Sequence, residues 1–153
     1  MKGTYILVLQ LDQTLTQLQI GRLGSFAFAP GFYLYVGSAF GSGGLAARLK
    51  HHANAHKPRL HWHIDYLRAQ AHLRAAWTLT GTGRMEHAWC RALASVSGVT
   101  MPVPGFGASD SPCSTHLFAL ATAPHPTLLA EVIFGSLDPT QSAHVQLDIH
   151  LFD

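Results

Sequence analysis

The chain has 153 residues, of which 48% are hydrophobic and 12% are charged. This composition is too apolar for a disordered protein, and the length suits one core, so we expect a single domain spanning residues 1–153. The net charge of +2 is compatible with nucleic acid as a partner and with many other ligands. No apolar run approaches the ~20 residues that cross a bilayer, and no signal peptide opens the chain, so we expect a cytoplasmic protein without membrane contact.

Hydrophobic periodicity and the positions of Gly and Pro predict the order of the elements. Short runs rich in β-branched and aromatic residues indicate strands, and longer stretches of good helix formers indicate helices. The first half is predicted to contain a strand at 4–11, a half-exposed strand at 14–20 paired back on it, a turn at 21–24, a central strand at 32–36 and a helix at 45–56. Extended or mixed segments follow at 61–67 and 73–79, and then a helix from 86 to near 98. The last part is predicted to contain a loop at 101–114, a strand at 116–121, a helix at 124–134 and a tail or edge strand. This order predicts an α+β fold with a small central, mainly antiparallel sheet flanked by helices.

A glycine-rich loop, 41–44, leads into the first predicted helix. Backbone amides at such a junction attract anions, so Gly43 and Gly44, together with Lys50 on the helix, are predicted to contact phosphate. A nucleotide-binding P-loop is excluded because no Gly-Lys-Ser/Thr follows the glycines.

Histidine is the unusual residue of the composition, with eleven copies against ten of Lys plus Arg. Several lie in the short span 51–63, where they could bind metal, move protons, contact phosphates or form a solvated polar face. Strand periodicity would put His61, His63 and Asp65 on one face, as a substrate rim or a second set of metal ligands. Asp65 could equally be a structural partner of Arg48 or of a histidine.

Two short motifs and two single residues follow one another in a recognisable order. Gly3-Thr4-Tyr5 opens the first strand, Tyr35-Val36-Gly37 closes a later strand, Arg48 lies on the next helix and Glu86 opens the second helix. In this arrangement the sequence resembles the GIY-YIG nuclease superfamily. Longer blocks resemble its Uri-like branch, and they cover residues 43–49, 61–67 and 105–118.

The resemblance implies an endonuclease that hydrolyses phosphodiester bonds in nucleic acid, with DNA favoured over RNA, on a GIY-YIG nuclease-like fold. Glu86 would hold one Mg²⁺ or Mn²⁺ ion, since both prefer carboxylate and water oxygens. Arg48 would grip the scissile phosphate through its planar donor fork. The alternative is a nucleic-acid-binding module on the same fold that is catalytically weak or inactive.

Tyr5 and Tyr35 match the paired tyrosines of the superfamily, one of which would orient or deprotonate the attacking water while the other lines the phosphate pocket. An isolated tyrosine at a strand end more often packs in the core. His52 lies one turn beyond Arg48 and could shuttle protons, with His51 as its competitor. Tyr5, Tyr35, Arg48 and His52 would then converge with Glu86 on one catalytic site.

Gly37 and Ser38, in and after the second motif, are predicted to contact the substrate. Ser38 stands where many superfamily members have a basic residue. Ser111 stands where many Uri-like relatives carry a cysteine, so Cys113 and His116 supply only two of the four ligands of a zinc site. Cys90 and Cys113 are both expected to be thiols. The resemblance also predicts that Tyr5, Tyr35, Arg48 and Glu86 border one concave surface.

Overall fold

The computed structural model describes residues 1–108, 111–137 and 145–153, and part of the predicted loop at 101–114 therefore lies outside the described residues. The strands are β1 (Gly3–Leu11), β2 (Leu15–Ile20), β3 (Gly24–Phe28), β4 (Gly31–Ala39), β5 (His72–Thr80), β6 (Leu117–Leu120) and β7 (Gln146–Leu151). The helices are α1 (Gly44–Ala53), α2 (His63–Arg68), α3 (Glu86–Ala94) and α4 (Pro126–Gly135). The predicted α+β class is confirmed.

The main sheet has the strand order β6-β4-β1-β5-β7, and each neighbouring pair is antiparallel. β1 occupies the centre. Its alternate side chains are buried on both faces, Leu7 and Leu9 on one and Ile6 and Val8 on the other. Burial on both sides explains why β1 is a nearly continuous apolar run rather than an alternating one.

Helices cover both faces of this sheet. On the face of Leu7 the core includes Leu45 of α1 and Ile64 of α2, together with the small β2–β3 sheet. On the opposite face it includes Trp89 of α3 and Ile133 of α4. In the described part of the chain, no helix has both the length and the apolar character that crossing a bilayer requires.

Two local predictions are wrong. β2 pairs with β3 in a sheet of its own, not with β1, because β4 and β5 already occupy both edges of β1. The segment at 61–67, predicted to be extended or mixed, contains α2, so the strand periodicity applied to His61, His63 and Asp65 does not hold; the first turn of α2 is capped by the carboxylate of Asp65. Cys90 and Cys113 are free thiols, as predicted.

A buried arginine joins the end of α1 to α2. Arg68 donates from Nε to the carbonyl of His52 at 2.7 Å and from Nη2 to that of Ala53 at 3.1 Å. It also donates from Nη1 to the carbonyl of Ala71 at 2.8 Å. Carbonyls in the last turn of a helix have no partner within the helix, so Arg68 satisfies groups that would otherwise be buried and unpaired.

Replacing Arg68 by Met should lower the free energy of unfolding by about 2–4 kcal/mol, because three carbonyls lose charged donors in a buried setting. Urea denaturation of the purified variant measures the change. Arg59→Met is the matched control, since Arg59 is exposed, and it should change stability by less than about 0.5 kcal/mol. Equal stability of the two variants would contradict the role given to Arg68.

Candidate functional site

A cleft of about 530 Å³ opens beside β4, between α1 and the start of α3. Eight of the residues predicted from the sequence line it: Tyr5, Tyr35, Gly37, Ser38, Arg48, His61, His63 and Glu86. The prediction that the two tyrosines, the arginine and the glutamate border one concave surface is confirmed. Residues more than eighty positions apart in the chain therefore meet at one site.

Strand register brings the two tyrosine motifs together. Tyr5 on β1 lies directly opposite Gly37 on β4. A Cβ atom at Gly37 would overlap the ring and hydroxyl of Tyr5, so only glycine lets this ring lie across β4. The ring centroids of Tyr5 and Tyr35 are 6.4 Å apart. Gly37 therefore acts on the site by making room for Tyr5.

His52 is fully buried behind Tyr5. Its Nε2 lies 2.8 Å from the Tyr5 hydroxyl. Burial, helped by the neighbouring His51, lowers the pKa of His52 to about 3, so its ring is neutral at neutral pH. Burial also raises the pKa of Tyr5 well above its ordinary value, although Arg48 opposes this. Tyr5 and His52 are therefore both neutral and share one hydrogen bond, and His52 reaches the cleft only through Tyr5.

The second tyrosine is also a neutral phenol. Burial raises the pKa of Tyr35 to about 12, against the opposing charge of Arg48. Its ring packs edge-on against Phe106, with centroids 6.1 Å apart. Tyr35 can thus donate or accept hydrogen bonds at the wall of the cleft without carrying charge.

Two arginines in the cleft are each stacked on an aromatic ring. The guanidinium carbon of Arg48 lies 4.2 Å from the ring centroid of Trp62, and that of Arg84 lies 4.3 Å from the centroid of Phe40. Cation–π stacking of this kind fixes the plane of a guanidinium and leaves its N–H edge available. Both arginines are therefore oriented before any ligand binds.

Asp65 supports the site from beneath rather than lining it. One carboxylate oxygen accepts the backbone N–H groups of His61 and Trp62, at 3.0 and 2.9 Å, and the other lies 2.8 Å from Nε2 of His51. Burial alone would raise the pKa of Asp65, but these donors outweigh it and the pKa is lowered. Its side chain is fully buried, so the predicted contact with substrate is corrected to the structural partnership with a histidine.

Three predicted phosphate contacts lie outside the cleft. The N–H of Leu45 donates to the carbonyl of Met1 at 2.8 Å, so the backbone that precedes β1 covers the start of α1 and occupies this amide. A Cβ atom at Gly44 would overlap the backbone of Met1, and Gly43 and Lys50 are exposed residues that the cleft does not include.

Glu86 is the residue best suited to a hard metal ion. It is the one carboxylate among the described residues that line the cleft. Its Oε2 is buried and has no hydrogen-bond partner within the described part of the chain. A buried carboxylate oxygen without a donor is costly unless a cation or water meets it. The donor type and its environment fit Mg²⁺ or Mn²⁺.

Three imidazoles in or beside the cleft, those of His51, His52 and His63, are already hydrogen-bonded. His51, His52 and Asp65 lie close enough to share an ion, but they are hydrogen-bonded to one another or to Tyr5. His63 accepts the N–H of Gly107 on Nδ1 at 2.8 Å, and burial lowers its pKa. The alternative ligand set of His61, His63 and Asp65 does not form, because both oxygens of Asp65 face the backbone and His51.

Seven further residues line the cleft that the sequence did not single out for this site: Val36, Trp62, Arg84, His87, Gly107, Ser111 and His116. Two features of the sequence could have pointed to some of them. Arg84 and His87 lie close to Glu86 in the chain, and Trp62 lies between the predicted site residues His61 and His63. The stacking of an arginine on Trp62 has no such signal, because it depends on how α1 packs beside α2.

The family model named DUF123, described as a domain of unknown function, matches residues 4–139. This range includes all residues of the cleft. No curated protein and no solved structure matches the chain.

Asp65→Asn should lower the free energy of unfolding by about 1–3 kcal/mol at neutral pH, because the amide loses the charge that its donors stabilise. The folded pKa of Asp65 lies below the ordinary ~3.9, so this contribution is present above that pH and disappears as the pH falls through the folded value. Urea midpoints measured from neutral to acid pH test this. Asp12→Asn, at an exposed carboxylate, is the control, and a gap between Asp65→Asn and wild type that persists unchanged into acid would contradict the role of charge.

Proposed function

The chain belongs to the DUF123 family, and we propose that it is a metal-dependent endonuclease of the GIY-YIG type that hydrolyses phosphodiester bonds in nucleic acid, DNA above all. One observation carries the proposal. Tyr5, Tyr35, Arg48 and Glu86, drawn from four separate elements, line a single cleft. In that cleft the buried Oε2 of Glu86 has no hydrogen-bond partner among the described residues.

The charge of the cleft supports a phosphate substrate. Its described lining has two arginines and several imidazoles against the single carboxylate of Glu86. Arg48, held flat on Trp62, presents paired N–H donors that match two phosphate oxygens. Because the stack fixes the guanidinium beforehand, little conformational entropy is lost when the phosphate binds.

Glu86 would hold the cation, and the remaining ligand positions would fall to water and phosphate oxygens. When bound, Mg²⁺ or Mn²⁺ supplies a Lewis acid that neutralises charge at the scissile phosphate and makes a nucleophile available at neutral pH. Glu86 opens α3, so its position is fixed by the first turn of a helix.

Tyr5 would orient the attacking water rather than take its proton. Its hydroxyl shares a hydrogen bond with Nε2 of His52, which holds the phenol oxygen in place beside the cleft. The raised pKa of Tyr5 and the pKa of about 3 of His52 make both poor sites for an extra charge. Tyr5 and His52 would therefore form a neutral, fixed hydrogen-bonding partner for water, and a bound cation would supply the acidity.

The competing proposal is a nucleic-acid-binding module without useful catalysis. Such a module would need the arginines but not Glu86, so the two proposals differ at one side chain. Nucleic acid is the partner in both proposals, whereas one Mg²⁺ or Mn²⁺ ion as cofactor belongs to the endonuclease alone. We also propose a cytoplasmic location, which depends on neither.

Glu86→Gln should abolish cleavage of labelled DNA in Mg²⁺ or Mn²⁺ while leaving DNA binding nearly unchanged, because the amide keeps the size of the side chain but loses the charge that holds a hard cation. Cleavage and gel-shift assays on the same preparation measure the two effects. Glu131→Gln, at an exposed carboxylate on α4, is the matched control and should cut at the wild-type rate. Undiminished cutting by Glu86→Gln would remove Glu86 as the metal ligand, and a wild type that binds but never cuts would favour the binding module.

Arg48→Ala should weaken both binding and cleavage, with cleavage falling by about 10²-fold or more, since a preorganised donor acts most strongly on the transition state. Arg48→Lys should restore little, because an ammonium can neither stack flat on Trp62 nor donate in pairs. Single-turnover rates and binding constants, taken across a series of salt concentrations, measure both effects. Arg91→Ala, at an exposed residue of α3, is the control. Equal losses of binding and cleavage in the two alanine variants would mean that Arg48 acts through the overall positive charge and not through a specific contact with phosphate.

A further inference from the structure

Beside the cleft, three soft ligands come together from distant parts of the chain. Cys90 lies on α3, whereas Cys113 and His116 lie in the segment that leads to β6. One ligand atom from each residue lies within 4.8 Å of the others. Two thiolates and an imidazole are a donor set that zinc prefers and that magnesium does not.

The imidazole of His116 is held by hydrogen bonds at both ring nitrogens. Nδ1 lies 3.0 Å from the carbonyl of Val36, an acceptor, so Nδ1 carries the proton and Nε2 carries the lone pair. Metal-binding histidines are usually oriented in this way, by donating their second ring N–H to a carbonyl. The His116 backbone is also held, by hydrogen bonds to Val36 and Phe106.

Ser111 links the other two residues of the segment. Its hydroxyl accepts the backbone N–H of Cys113 at 3.1 Å and lies 2.9 Å from Nε2 of His116, to which it donates. An ion bound at Nε2 would therefore replace this hydrogen bond. The Ser111 oxygen lies close enough to Nε2 that it, or a water molecule in its place, could then serve as the fourth ligand of the ion.

We propose that Cys90, Cys113 and His116 bind a Zn²⁺ ion, whose fourth position is completed by the hydroxyl of Ser111 or by water. The ion ties the segment 111–116 to α3, and so fixes the wall of the cleft that contains Ser111 and His116. This site uses soft donors and is distinct from the hard carboxylate of Glu86, one helical turn earlier on α3. It does not depend on the endonuclease proposal.

Cobalt substitution tests the site directly, since Co²⁺ bound by thiolates gives a charge-transfer absorption that Co²⁺ bound by histidines alone lacks. Full-length protein, reduced and stripped with EDTA, should show this band on adding Co²⁺, saturate at one ion per chain, and lose the band when Zn²⁺ is added. Zn²⁺ should also raise the unfolding temperature of the stripped protein. Cys113→Ser and His116→Gln should lose the band, whereas His150→Gln, at an exposed histidine, should keep it.

A variant that binds Zn²⁺ more tightly is also needed, because a variant that loses Zn²⁺ binding could simply be misfolded. Ser111→Cys adds a thiolate beside Nε2 of His116 and should bind Zn²⁺ more tightly than wild type in competition with a chelator. Three results would overturn the proposal: a wild type without the thiolate band, a Cys113→Ser variant that keeps it, or a Ser111→Cys variant with unchanged affinity. A fourth is a native Cys90–Cys113 disulfide, seen as a loss of both reactive thiols in protein isolated without reductant.

Discussion

The arrangement of the cleft depends first on the buried carboxylate of Asp65. A charge removed from water must be met by donors, and here the backbone N–H groups of His61 and Trp62 and the ring of His51 meet it. Because one oxygen of Asp65 accepts two successive backbone N–H groups, α2 begins at this point and the position of Trp62 is fixed. Trp62 in turn supports the guanidinium of Arg48. The orientation of the principal cation of the site is thus set by an acidic residue that never reaches the cleft.

Neutral and charged groups occupy different parts of the site. Tyr5 and His52 form an uncharged pair at the buried end, where burial disfavours ionisation of both. Arg48, Arg84 and Glu86 supply the charged groups that line the same cleft. Such a division would suit the binding of an anion, because the charged groups would meet it while the neutral pair keeps a fixed hydrogen bond.

Local patterns predicted most elements, and non-local contacts account for the failures. β1, β4, β5 and the starts of α1 and α3 follow from periodicity and from Gly and Pro positions. The pairing of β2 could not be predicted in this way, because both edges of β1 are taken by β4 and β5, which come later in the chain. In the span 61–67 the sequence fits both periods, since Ile64 and Leu67 are also spaced as one face of a helix, and the deciding contact is the Asp65 cap. The motifs located Tyr5, Tyr35, Arg48 and Glu86 in one place, but the closure of α1 by Met1 and the approach of Cys90 to Cys113 have no signature in sequence spacing.

The central position of β1 has a consequence for how the molecule forms during synthesis. The first strand made is the one whose partners, β4 and β5, both come later, and the cleft further requires Glu86 and the segment that ends at His116. A nascent chain folds only with the residues that have left the ribosome, so the cleft cannot close until most of the polypeptide has emerged. An incomplete translation product would therefore carry both tyrosine motifs without Glu86 and His116, the later residues that complete the cleft.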